Sequence, residues 1–104
     1  METIIYRQGE DIEFYIEPDI NEDLELNDWA LVFYSRHNDD TVINKSECVL
    51  VSSQKYYGKI ASEKTATMNT GKYVCELLYK ATSKRIPFNN LAFTLVESHA
   101  KKYL

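Results

Sequence analysis

Four side chains are of the types that most readily do nucleophilic, acid–base or zinc chemistry: His37, His99, Cys48 and Cys75. A nucleophile or general base works only within hydrogen-bond reach of a partner in a concave, partly dry place. A zinc site wants four Cys or His ligands in closely spaced pairs. Positions 37, 48, 75 and 99 show neither pattern. His37 falls in the polar run "HNDD", built of turn-forming residues, and His99 falls near the tail. A second set is the acidic connection "PDINEDLELND", residues 18 to 28, where Asp19, Asn21, Glu22, Asp23, Glu25, Asn27 and Asp28 carry oxygen ligands of the kind calcium takes. It lacks the Asp-x-Asp-x-Asp-Gly order and the terminal bidentate Glu of an EF-hand loop. The expectation is a solvated acidic loop, with no catalytic residue, no metal site and no cofactor.

The aromatic residues say more. Eight Tyr, four Phe and one Trp stand against three Gly and two Pro, a balance that favours strands, whose pleated surface suits aromatic and β-branched side chains. The tyrosines also outnumber the places a small core can offer. Tyr15, Tyr34, Tyr56, Tyr57 and Tyr103, with the neighbouring Leu104, are therefore the candidate interface residues. Exposed tyrosine gives large contact area at low entropic cost and is enriched where proteins meet. Stacked tyrosine also suits sugar rings, so glycans stand as the alternative ligand.

The elements that must position these side chains read as strands. Residues 11 to 17 alternate most cleanly, with Ile12, Phe14 and Ile16 on one face and Asp11, Glu13, Tyr15 and Glu17 on the other. Residues 29 to 36 place Trp29, Leu31 and Phe33 on one face and Ala30, Val32 and Tyr34 on the other; with both faces apolar in part, this strand is expected inside its sheet. Further strands are predicted at 3 to 7, 41 to 43, 47 to 52, 56 to 62, 72 to 79 and 91 to 97, with the pairing between 41 and 62 left open. Residues 61 to 66 are the one helix-like stretch. Leu24 and Leu26 are expected to tuck beneath the acidic connection.

The stretch "MNTGKYVCEL", residues 68 to 77, names the architecture. Gly71 offers the positive-φ or open backbone position a sharp entry into a strand needs. Tyr73 can then pack its ring in the core and return its hydroxyl to an upstream backbone group, the tyrosine corner of Greek-key sandwiches. Cys75 and Leu77 share its face, and Trp29 precedes them on an inner strand. This is the spatial logic of an all-β, immunoglobulin-like antiparallel β-sandwich, here of about seven strands. The partner cysteine such domains often carry on the second strand is replaced by Ile12, Phe14 and Ile16. Cys75 is accordingly expected as a small buried hydrophobe and not as half of a bridge to Cys48.

At 104 residues, 44% apolar and 27% charged, the chain is expected to form one globular domain over residues 1 to 104. The formal net charge of −4, with acids concentrated before residue 29, argues against a nucleic-acid surface. The N-terminus has no apolar h-region, and the longest uncharged apolar run spans only residues 29 to 34, so neither a signal peptide nor a membrane span is expected. Both thiols are therefore expected to be reduced while the protein sits in the cytoplasm where it is made.

Taken together, "QGEDIEFYIEPDI", "DWALVFYSR" and "TATMNTGKYVCELLY" resemble the immunoglobulin-like domain at the start of phage and prophage tail or baseplate proteins, such as baseplate upper proteins. Thr65, Met68, Gly71, Tyr73, Glu76 and Leu77 match the Thr-x-x-Leu-x-x-Gly-x-Tyr-x-x-Glu-Ile line of that family, with Met68 for Leu and Leu77 for Ile. The likeness spans roughly residues 3 to 80. It implies a non-enzymatic part of a virion, in the tail, at the neck or baseplate, or on the capsid surface, whose partners are other virion proteins or copies of itself. The segment 98 to 104, "SHAKKYL", is expected to act as a C-terminal arm that docks its Tyr103-Leu104 end on a neighbouring subunit.

Overall fold

The computed structural model describes residues 4–17, 23–35 and 40–98. Among them are nine strands: β1 (Ile4–Arg7), β2 (Ile12–Ile16), β3 (Trp29–Tyr34), β4 (Thr41–Asn44), β5 (Val49–Ser52), β6 (Lys55–Ile60), β7 (Gly71–Tyr79), β8 (Arg85–Pro87) and β9 (Phe93–Val96). One sheet runs β1-β9-β7-β3-β4, with β8 also on β7; the other runs β2-β6-β5. The two pack as an immunoglobulin-like sandwich. The short helix α1 (Ser62–Thr65) falls where the helix-like stretch was expected.

Two features differ from the expected antiparallel sandwich of about seven strands. The β1–β9 pair is parallel, with Ile4 beside Phe93 and Arg7 beside Val96. The cause is a change of sheet: β1 joins one sheet and β2 the other, so they form no hairpin, and β1 runs beside the last strand instead. The turn between them is held from across the molecule. Gln8 Nε2 donates to the Met68 carbonyl at 2.7 Å, Gly9 N donates to Thr65 Oγ1, and that hydroxyl donates to the Glu10 carbonyl. Gly9 sits at φ 90°, a region open to glycine at little cost. The second difference is β8, three residues ending in proline, too short to show alternation in the sequence. It pairs with Glu76 to Leu78, while β9 pairs with Gly71 to Tyr73, so the long β7 carries two partners in succession along one edge.

The core lies between the sheets and follows the period-two reading. Ile12, Phe14 and Ile16 from β2 meet Trp29, Leu31 and Phe33 from β3 and Tyr73, Cys75 and Leu77 from β7, all buried. Ring contacts bind the layers: Phe14 lies 5.5 Å from Phe33, and Trp29 meets Tyr56 edge-on at 5.2 Å. β3 is flanked by β7 and β4, the inner position its two apolar faces call for. At the entry to β7, Gly71 has φ 138°, and the Tyr73 hydroxyl donates to the Asn69 carbonyl at 2.8 Å. The tyrosine corner is therefore present. Cys48 and Cys75 are both free thiols.

Leu24 is fully buried, whereas Leu26 is 85% exposed and not tucked beneath its loop. Asp23 explains the split, because its carboxylate accepts from the N–H groups of Glu25 and Leu26 and closes a tight turn. The turn sends Leu24 inward, where its carbonyl accepts from Trp29 Nε1 at 3.0 Å. Leu26 is left facing out.

Candidate protein interface

A strand with one face on the core must present its alternate residues to the outside. On the β2-β6-β5 sheet those residues are Glu13 and Tyr15 of β2, with Glu17 just past its end, Lys55, Tyr57 and Lys59 of β6, and Val49 of β5. Register aligns them in rows across the strands. Glu13 stands beside Lys59, and Tyr15 stands beside Tyr57, which stands beside Val49. The middle row is an aromatic and aliphatic stripe, with Tyr15 56% exposed and its ring 5.5 Å from that of Tyr57.

Charge borders the stripe on both sides. Lys55 Nζ pairs with Glu17 at 3.0 Å and lies 5.0 Å from the Tyr15 ring centre, a cation over the π-face. Hydrogen bonding by the nearby Glu13 carboxylate is the main cause raising the Tyr57 phenol above its ordinary value of 10. An apolar centre with a polar rim is the usual anatomy of a protein contact surface.

The other expected interface residues divide. Tyr34 lies on the outer face of the opposite sheet and cannot share a surface with Tyr15. Its hydroxyl donates to Glu76 at 3.0 Å, which raises its pKa, and Arg85 holds the other carboxylate oxygen of Glu76 at 3.1 Å. Tyr56 is a correction: it is only 6% exposed, inside the core against Trp29. Adjacent residues of a strand face opposite ways, so Tyr56 and Tyr57 could not both be outside, and this was readable from their adjacency. Tyr103 and Leu104, with most of the 98 to 104 arm, lie outside the described residues, as do His37 and His99.

β5 adds what the sequence reading missed. Val49, Leu50 and Val51 are 59%, 46% and 48% exposed, on the edge of their sheet. The signal was present in "CVLVSS", residues 48 to 53, an uncharged apolar strand. The register shifts between Leu50 and Ser52, so Val51 is the extra residue of a bulge.

Of the acidic connection, Asp23 is committed to structure. Besides closing its turn it accepts from Gln54 Nε2 at 3.0 Å, and its pKa is lowered, chiefly by the Leu26 N–H. Gln54 in turn accepts from Leu24 N at 2.7 Å, which moors the connection to the turn between β5 and β6. Among the described residues no group of three His, Cys, Asp or Glu is placed to hold a metal ion. Burial pushes the Cys75 thiol up to about 12 and Cys48 up to about 11, with Glu76 and Glu47 adding to each. At neutral pH both are protonated and poor nucleophiles.

No family model matches the chain, and no curated protein matches it. Among solved structures, a Bacteroides vulgatus protein described as a candidate glycoside hydrolase aligns with a TM-score of 0.48 and 9% identity, over 93% of this chain and 17% of that one. This chain thus spans about a sixth of that protein, and a likeness so distant bears on neither the activity nor the fold.

Proposed function

We propose that the chain is a non-enzymatic structural and interaction part of a bacteriophage particle, in the tail, at the neck or baseplate, or on the capsid surface, held by contacts with other virion proteins or copies of itself. The observation that carries the interaction role is the row Tyr15, Tyr57 and Val49 with its charged border, continuous with the exposed edge strand β5. Burial of this stripe would drive association, and the Glu and Lys rim would set orientation. The phage setting rests on the resemblance carried by Thr65, Met68, Gly71, Tyr73, Glu76 and Leu77. Mass spectrometry of density-purified particles from cells that carry the gene tests it. A fixed copy number per particle is expected; absence from the particles would refute the reading.

The competing reading is glycan recognition by exposed tyrosines. Tyr15 offers an exposed ring, but Lys55 occupies one of its faces and the Tyr57 ring is tilted 56° to it, so the two rings form no flat platform. Glycan-array binding abolished by Tyr57→Ala would favour that reading over the first.

A further inference from the structure

Residues 23 to 28 lead into β3 without joining either sheet, so their backbone polar groups need partners other than a strand ladder. Side chains supply them. The N–H groups of Leu24 and Glu25 donate to Gln54 Oε1 at 2.7 and 3.2 Å, and those of Glu25 and Leu26 donate to Asp23 Oδ1, each at 3.0 Å. Lys45, between β4 and β5, donates its ammonium protons to the carbonyls of Glu25 and Asn27, both at 2.8 Å. Gln54 and Lys45 thus reach this segment from elsewhere in the fold. Its far end is fixed by backbone, where the Asp28 carbonyl accepts from Lys80 N at 3.1 Å.

The segment grips the core through one side chain. Leu24 is fully buried among core residues that include Trp29 and Tyr56, while Glu25, Leu26, Asn27 and Asp28 are exposed. Trp29, also fully buried, gives its indole proton to the Leu24 carbonyl at 3.0 Å. The anchor on the other side is strained: Gln54 has φ 60°, a region few non-glycine residues adopt, and its N–H donates to Glu25 Oε2 at 2.9 Å. Turn and segment hold each other, because the bonds that fix the segment also stabilise the unfavourable backbone of the turn.

We infer that residues 23 to 28 are a latched strap, hinged at Asp28, that opens as one unit while both sheets stay folded, withdrawing Leu24 and uncovering Trp29 and Tyr56. Opening the strap breaks side-chain latches and frees one apolar anchor, whereas opening β3 or β7 breaks strand ladders and the aromatic core. Segments with few buried contacts open at the lowest free energy. The same motion frees the β5–β6 turn at Gln54, at the end of the hairpin that carries Val49 and Tyr57, so strap and candidate contact face share an anchor.

Native-state hydrogen exchange by NMR tests it. In the wild type the amides of Leu24, Glu25, Leu26 and Gln54 should exchange through a common opening whose free energy hardly changes at low urea. Leu31 and Leu77, on the inner strands, should exchange through a larger opening whose free energy falls with urea. Gln54→Gly, which suits the left-handed turn but removes the latch, should speed exchange at 24 to 26 by at least about tenfold and leave Leu31 and Leu77 within about twofold. Trp29 is the single tryptophan, so acrylamide quenching of its emission should rise in the same variant. Lys45→Met, which keeps the stem beside Tyr56 and removes the charge, should act in the same direction. Three results would overturn the strap: wild-type strap amides that exchange only together with Leu31 and Leu77, exchange at 24 to 26 unmoved by both variants, or equal acceleration at all of these positions.

Discussion

The Tyr73 hydroxyl donates a 2.8 Å hydrogen bond to the carbonyl oxygen of Asn69, four residues upstream, while its ring stacks on Phe93 at 5.1 Å. One side chain thus fixes both the corner that enters β7 and the packing of β9 against it. Tyr73→Phe keeps the ring and removes the bond. A loss of about 1 kcal/mol is expected, from the hydrogen bond removed. Urea denaturation checks this, with the midpoint lowered and the slope unchanged.

Gly58 on β6 lies opposite Phe14 on β2, and a Cβ at that position would come within 2.6 Å of the Phe14 ring and 3.0 Å of Cys48 Sγ. The glycine is there to let the ring lie on the backbone. Gly58→Ala should cost about 1–3 kcal/mol through overpacking. Phe14→Leu in the same chain should make the second change less costly than in the wild type. Thermal melts of the two single variants and the double variant, read as a cycle, measure that coupling.

Tyr56 and Tyr57 are neighbours with opposite duties. Tyr56→Ala empties a core position against Trp29 and should destabilise the fold by about 3–5 kcal/mol. Tyr15→Ala, on the outer face, should change stability by less than about 1 kcal/mol and still weaken association. Calorimetry and sedimentation on the same two proteins separate these effects. Equal loss of stability in both would contradict the assignment of faces.

The thiols link stability to alkaline pH. Cys75 keeps its proton in the native state up to about 12, against an ordinary value of 9. Below pH 9 both native and unfolded chains hold that proton, and the stabilisation is fully present. Between about 9 and 12 the native state binds more protons than the unfolded one, so stability falls as pH rises, by up to about 1.4 kcal/mol per pH unit from this group. Urea midpoints at pH 8 and pH 10 check the sign. In the native protein at pH 8, iodoacetamide should leave Cys75 unmodified, and denaturant should release both thiols to react.

Local alternation and short-range turn chemistry were legible without coordinates. Ile12, Phe14 and Ile16 announce their buried face because strand side chains alternate, and Gly71 with Tyr73 announces the corner because only a few residue types suit it. Those signals determined the all-β sandwich, the inner place of β3 and the buried, unbridged Cys75. Tertiary structure alone decided which strands meet across long stretches of chain. The parallel β1–β9 pair joins segments nearly ninety residues apart in sequence, and β8 exists because β7 has an edge left to fill beyond β9. The same holds for the candidate interface. Tyr15 is far in the chain from Tyr57 and Val49, which face each other across the β5–β6 hairpin, and the three become one row only through the register of β2, β6 and β5, while β5 is exposed because its sheet ends there. Sequence carries the period of a strand, but register and edge position arise from contacts between distant strands, and no local pattern encodes them.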